Sequence, residues 1–310
     1  MTPVPRPSSQ ADRDSSGVPG SDSASKPTLF ARLIKVEHSV YALPFAYAGA
    51  FLAADGAPTW QQLLWITVAM VGARSAAMAL NRLIDAELDA RNPRTAAREL
   101  PAGRLGRREV WLFTVVSVGL LVLAAFELSE PCRYLWPIPL AAFVLYPYAK
   151  RFTWFCHYAL GLTLGLAPAA AWLAVTGHLG AVPWLLFFAV GLWVGGFDVI
   201  YAIFDLDFDR QNGLHSVPVA VGVRGALVVA AVSHAAAAAL LVAVGVLSGL
   251  GPIYWVGLAA VTALLAWPHV DIARRGLDRV GMSFMTINGA VGLLYGAVVV
   301  AATVWPSVSG

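Results

Sequence analysis

Apolar stretches of about twenty residues follow one another from Leu29 to the C-terminus, and they decide what this 310-residue sequence can fold into. A segment of that length and character crosses the hydrocarbon core of a bilayer as a helix. A soluble fold is excluded by the same residues: 58% are hydrophobic, 13% are charged and the mean hydropathy is +0.69, which leaves too little charge to solvate a surface of this size. We read an all-α, multi-pass transmembrane helical bundle of about nine helices. They lie roughly at 35–54, 60–84, 109–128, 133–149, 154–176, 181–204, 223–248, 252–269 and 283–305. Residues 1–28, rich in Ser, Pro, Asp and Gly, bury almost nothing and are expected to form a disordered tail ahead of a single membrane domain, 29–310. The tail has no apolar core of the signal-peptide kind, which argues against its export.

Basic residues fall on alternate loops. Arg91, Arg94, Arg98, Arg104, Arg107 and Arg108 follow the second predicted helix, Lys150 and Arg151 the fourth, Arg210 and Arg224 the sixth, and Arg274, Arg275 and Arg279 the eighth, whereas Arg133 stands alone on the other side. The positive-inside rule then places the N-terminus and these loops in the cytoplasm, and the C-terminus outside. The net charge of +3 is spread over these short loops and not gathered in a domain, so it reads as membrane orientation and not as nucleic-acid binding. Cys132 and Cys156 fall at opposite ends of an apolar segment pair, which suggests neither a disulfide nor a thiolate metal site.

Two loops on the basic side resemble each other. Asp85–Asn92 reads DAELDARN and Asp205–Asn212 reads DLDFDRQN, with acids at the first, third and fifth positions and Asn at the eighth, as a parallel repeat of four-helix halves would give. Asn81, Asp85 and Asp89 are spaced i, i+4, i+8 and so share one helix face over about two turns, with Arg74 deeper on nearly the same face. Asp198, Tyr201, Asp205 and Asp209 share a second face, from which Asp207 points away. Carboxylates this close share protons or bind cations. Mg²⁺ takes one or two carboxylates together with phosphate oxygens and water, and Arg94, Arg98, Lys150 and Arg151 stand ready for the phosphates. The chemistry fits a Mg²⁺-bound diphosphate on a long hydrocarbon, whose allylic C–O bond ionises against metal and basic side chains.

At these residues the sequence resembles the UbiA superfamily of intramembrane prenyltransferases, over roughly Phe30 to Trp305. The N-x3-D-x3-D motif matches Asn81, Asp85 and Asp89, followed by NPRTAARELPAG. The second, YxxxD-x3-D, matches Tyr201, Asp205 and Asp209 with Asp198 ahead of it, and YPYAKRFT supplies the basic loop after the fourth helix. Many members read Asn-Asp at the start of the first motif, where this chain has Asn81-Arg82. The resemblance implies a nine-helix bundle, two Mg²⁺ ions, a polyprenyl diphosphate donor and an aromatic acceptor. NRLIDAELDARNPRTAARELPAG with GLHSVPVAVG is similar to the 4-hydroxybenzoate polyprenyltransferase-like branch of bacteria that make menaquinone by the futalosine route, which implies 1,4-dihydroxy-6-naphthoate in place of 4-hydroxybenzoate. Both acceptors carry a carboxylate, which Arg74 could meet, with Asp198 near the phenol.

Blander readings stand beside these. Helix-end acids can simply be solvated, and Arg104, Arg107 and Arg108 read as topology signals. His157 and His215 can be hydrogen-bonded structural groups, and Asn288 reads as interhelical glue. A cation-coupled transporter is the competing class, since intramembrane acids also mark ion pathways. Against it, the acids cluster at helix ends beside bases, and no broken-helix pair is evident. A lipid-headgroup phosphotransferase calls for a D-x2-D-G-x2-A-R run, which the second predicted helix lacks.

Overall fold

The computed structural model describes residues 25–277 and 281–305, and their side chains apart from 36–41 and 281–286. Its helices are α1 (Lys26–Ile34), α2 (Val36–Ala54), α3 (Trp60–Arg91), α4 (Arg107–Glu127), α5 (Glu130–Leu135), α6 (Pro137–Ala149), α7 (Cys156–Thr176), α8 (Ala181–Ala202), α9 (Leu206–Gln211), α10 (Val217–Leu247), α11 (Pro252–Arg275) and α12 (Gly281–Val304), with a 3₁₀ turn, Ile203–Asp205, between α8 and α9. Seven of the described helices are long and apolar enough to cross a membrane. The predicted tail falls mostly outside the described residues, and its last three, 26–28, open α1.

Packing runs round the bundle: α4 on α3, α3 on α6, α6 on α7, α7 on α8, α8 on α10, α10 on α11, α11 on α12 and α12 on α2, with α2 closing back onto α7. The polarity of each helix is that of a chain solvated by lipid. On α4, Leu112, Val115, Val116 and Leu123 are exposed while Thr114, Ser117 and Ala124 are buried. Small and polar residues face the protein because only there can helices approach closely and hydroxyls find partners. Thr114 and Ser117 donate to the carbonyls of Val110 and Phe113 at 2.8 Å each. Asn288 is interhelical glue as read: its Oδ1 accepts the Trp193 indole N–H at 3.0 Å, tying α12 to α8.

The helices depart from the sequence reading at several points. The predicted helix 133–149 is two, because Pro137 starts α6 as its first residue, where a missing N–H costs nothing. The helix predicted from 223 starts at Val217 and kinks at Gly222, whose φ of 71° only glycine adopts freely. The helix predicted over 181–204 ends close to that bound, and beyond it a 3₁₀ turn and the short α9, neither of them predicted, carry Asp205 and Asp209. That turn lies at the helix end, among the acids.

One close approach positions the site. A Cβ on Gly161 of α7 would lie 2.1 Å from the Gly191 carbonyl oxygen of α8, and one on Gly195 would lie 2.7 Å from the Tyr158 ring. Without side chains there, α7 and α8 pack backbone to backbone, which brings His157 to Asp198 across the interface.

Candidate active site

α3 starts on a full capping box, with Thr59 and Gln62 exchanging bonds, and stays helical to Arg91, so the whole first motif projects from one rigid rod. Beyond it the chain turns sharply: the amides of Thr95 and Ala96 donate to the Asn92 carbonyl and that of Arg94 to the Asn92 side chain, 2.9 Å away. This turn folds Arg94 and Arg98 back over the helix end. Arg98 Nη1 donates to both Asp89 oxygens at 2.7 Å. Arg94 forks onto Asp205 through Nε, at 2.9 Å, and Nη2.

The loop between α6 and α7 supplies the next pair. Lys150 Nζ donates to Asp85 Oδ2 at 2.7 Å and Arg151 Nη2 to Oδ1 at 3.2 Å, while the Asn81 amide reaches Oδ2 at 3.3 Å. Arg151 is fixed in turn by the carbonyls of Pro147 and Ile84. On the far wall Asp198 accepts from His157 at 2.7 Å, and the Arg94 guanidinium lies 6.0 Å from the centre of the Tyr201 ring. Asp85 and Asp89 are buried, each with base on it.

Of the residues singled out from the sequence, Asn81, Asp85, Asp89, Arg94, Arg98, Lys150, Asp198, Tyr201, Asp205 and Asp209 line a single polar cavity. Arg151 stands just behind it on Asp85. Asp207 is exposed and takes no part in the lining, as its position on the helix face implied. Arg74 departs from expectation: two turns along α3 from Asn81, it faces a neighbouring apolar cavity with Phe45, Met70, Phe143 and Leu164, and its Nε is buried without a partner. Tyr146 lies within electrostatic reach of Arg74, Arg82, Asp85 and Asp198. It also lines both the polar cavity and a lateral apolar one with Ala142, Leu145 and Leu162.

Several residues in or beside the wall were given no role in the site by the sequence reading. Tyr146 stands four residues before Lys150, a helical spacing that was there to be read. Asn92, the last residue of the repeated motif, donates to Asp205 at 3.3 Å. Arg82 is 4% exposed, reaching Asn81 Oδ1 at 3.3 Å and Asp89 at 3.9 Å. It sets a permanent cation inside the first motif. Lys35, at the α1–α2 junction, keeps an exposed surface, yet desolvation and the guanidinium groups of Arg82, Arg98, Arg94 and Arg74 pull its ammonium down to about 8.

The donors suit a hard cation: the cavity wall offers carboxylate and amide oxygens. Among the described residues no three acid, His or Cys side chains converge as a ready-made metal cage. A cavity of this kind suits Mg²⁺ that arrives with phosphate oxygens, and its basic side chains suit the phosphate.

Known proteins resemble this chain in sequence and in fold. The model of the UbiA prenyltransferase family matches residues 42–290. A 4-hydroxybenzoate octaprenyltransferase of Cronobacter sakazakii is 33% identical over 271 residues, covering 85% of this chain and 91% of that one. Among solved structures, the apo form of a UbiA homologue from Aeropyrum pernix K1 is 36% identical with a TM-score of 0.80, over 86% of this chain and 98% of that one. A UbiA homologue from Archaeoglobus fulgidus bound to GPP and Mg²⁺ shares the fold at 20% identity, with a TM-score of 0.67 over 89% of this chain and 99% of that one.

Proposed function

The chain belongs to the UbiA prenyltransferase family, and from that premise we propose that it transfers a polyprenyl group from polyprenyl diphosphate to a carboxylated hydroxy-aromatic ring in quinone biosynthesis. The observation that carries this reading is the single polar cavity in which two acid motifs and their basic partners meet, bordered through Tyr146 by apolar space.

Asp85 and Asp89 with Asn81, and Asp205 and Asp209 opposite, are the residues that would hold Mg²⁺, which would supply charge neutralisation for the departing diphosphate. Arg94, Arg98, Lys150 and Arg151, which hold carboxylates in this structure, bind the phosphate oxygens of the donor. The allylic C–O bond breaks with its electron pair leaving on the diphosphate. A ring carbon of the acceptor supplies the pair for the new C–C bond, and the ring proton is released. Tyr201 presents its π-face to the allylic cation. The hydrocarbon tail leaves through the lateral cavity past Tyr146. Arg74, a guanidinium with an unpartnered Nε beside apolar space, receives the acceptor carboxylate, and Asp198 takes the phenolic proton and returns it to the oxygen once the ring proton has passed to the diphosphate. The alternation of basic loops supports a cytoplasmic site.

Purified protein given polyprenyl diphosphate, Mg²⁺ and an acceptor should release diphosphate and form a prenylated ring, seen by mass spectrometry of the lipid extract. Activity that survives Asp85→Ala combined with Asp205→Ala would defeat the mechanism. The C. sakazakii relative is named for 4-hydroxybenzoate, while the resemblance of NRLIDAELDARNPRTAARELPAG and GLHSVPVAVG to the menaquinone branch favours 1,4-dihydroxy-6-naphthoate. Competition between the two acceptors decides: preferential labelling of the naphthoate supports that branch, and equal labelling makes it too narrow.

A further inference from the structure

His157 is 3% exposed in the first turn of α7, and both ring nitrogens are committed. Nδ1 lies 2.7 Å from Asp198 Oδ2, and Nε2 accepts the backbone N–H of Val217 at 3.2 Å. A backbone N–H can only donate, so Nε2 must carry the lone pair and the ring proton sits on Nδ1, where it donates to the carboxylate. The other tautomer would set a nitrogen lone pair against Asp198 and an N–H against an N–H. The Val217 contact belongs to a small zipper: the His215 N–H donates to the Lys150 carbonyl at 2.7 Å and the Cys156 thiol to the His215 carbonyl at 3.3 Å. The segment that follows the second acid motif is thereby docked onto the start of α7. Asp198, by contrast, keeps 37% of its side chain exposed, with the cavity in front of it.

We propose that His157 is a positioning residue for Asp198, holding one carboxylate oxygen through Nδ1–H so that the other faces the acceptor hydroxyl, with the Val217 amide locking the tautomer. This rests on the reading of Asp198 given above. In the step it serves, the acceptor O–H bond breaks, its electron pair stays on the acceptor oxygen, and the proton passes to the free Asp198 oxygen. The imidazole gives up no proton. Its part is orientation, and orientation of this kind carries about 10 to 100-fold in activity.

Initial-rate kinetics of His157→Leu and His157→Gln, with Asp198→Asn beside them, test it. His157→Leu should lower kcat about 10 to 100-fold with KM for the polyprenyl diphosphate unmoved, and His157→Gln, whose amide can still donate to Asp198, should recover most of the loss. Equal loss in both variants, or full kcat in His157→Leu, overturns the proposal. A fully active Asp198→Asn overturns the reading of Asp198 instead, which keeps the two failures apart. Should His157→Leu not fold, Val217→Pro deletes the N–H and keeps an apolar side chain at a position 1% exposed in the core: proline is favoured at a first helical position, and Ser216 before it is already extended at φ −147° and ψ 160°. Its kcat should fall with KM unchanged, and an unchanged kcat overturns the tautomer lock.

Discussion

The two acid motifs have the same spacing and opposite construction. Asn81, Asp85 and Asp89 stand on an unbroken helix of 32 residues, with Asp85 and Asp89 3% and 6% exposed. Asp205 and Asp209 sit on a 3₁₀ turn and a six-residue helix, and neither is buried. The eighth residues differ as well. Asn92 is buried and bonded to Asp205, whereas Asn212 is exposed and donates to the Phe208 carbonyl of its own short helix. A rigid half with its own counter-charges thus faces a half held in place from outside, by Arg94, by Asn92 and by the docked segment before α10. In the rigid half a carboxylate is part of the packing. In the other it is chiefly a ligand.

Single substitutions give the largest test of that contrast. Asp85→Ala removes the partner of Lys150 and Arg151, whose side chains are 31% and 26% exposed. Stranding two partly buried cations should destabilise the protein by about 3 kcal/mol, toward the low end for a broken buried pair because both cations retain some water. Diphosphate release should be lost at the same time. Asp205→Ala should abolish activity as thoroughly while Tm in detergent barely moves, since Arg94 is 46% exposed and rehydrates. Equal drops in Tm would break the comparison.

A smaller effect is expected from the joint between α7 and α8, which serves the wall between the two motifs. Gly161→Ala places a methyl carbon against the Gly191 carbonyl, a backbone atom that cannot step aside. The helices must part by an ångström or so, and misplacement of that size costs roughly 100-fold in rate. The loss should appear in kcat and leave Mg²⁺-dependent binding of the diphosphate intact in a calorimeter. Unchanged kcat would show that the approach of α7 to α8 does not set the His157–Asp198 contact.

These cases also mark how far the sequence could be read. The i, i+4, i+8 spacing of Asn81, Asp85 and Asp89 is a property of one helix, and it survived into the fold. Arg94, Arg98, Lys150 and Arg151 were read as phosphate ligands, and the fold brings them to the same cavity wall but onto the carboxylates themselves, because buried acids demand counter-charges. The helix end near 204 was legible, but the 3₁₀ turn and the short α9 beyond it were not, since nothing in YAIFDLDFD announces them and Asp205 is held from outside by Arg94 and Asn92. The bond between His157 and Asp198 joins residues 41 apart on different helices, so local spacing could not disclose it. Arg74 shares a face with Asn81 on paper, yet seven residues of rise carry it past Tyr146 into apolar surroundings. Pro137 is the exception: as a helix-starting residue it was readable, and it splits the predicted helix 133–149.

The smallest effect concerns charge surplus. Arg82, Arg94 and Arg98 from the first motif and its turn, together with Arg74 and Lys35, crowd one side of the site with cations, and Lys35 is held near 8 by desolvation first and by these charges second. If this side receives the diphosphate, the arriving anion must stabilise the protonated ammonium and raise Lys35 back toward its ordinary 10.5. The sign follows. Below pH 7 Lys35 is protonated with or without ligand, and binding moves no proton through it. Between about 8 and 10 the free protein has lost that proton and the complex has regained it, so binding takes up a fraction of one proton. Calorimetry of Mg²⁺-dependent diphosphate binding at pH 9, in buffers of different ionisation enthalpy, reads that fraction directly. Lys35→Met should remove it while leaving most of the affinity, because four arginines remain. Uptake that persists in Lys35→Met would move the proton to another group and weaken the assignment of the diphosphate to the first motif's side.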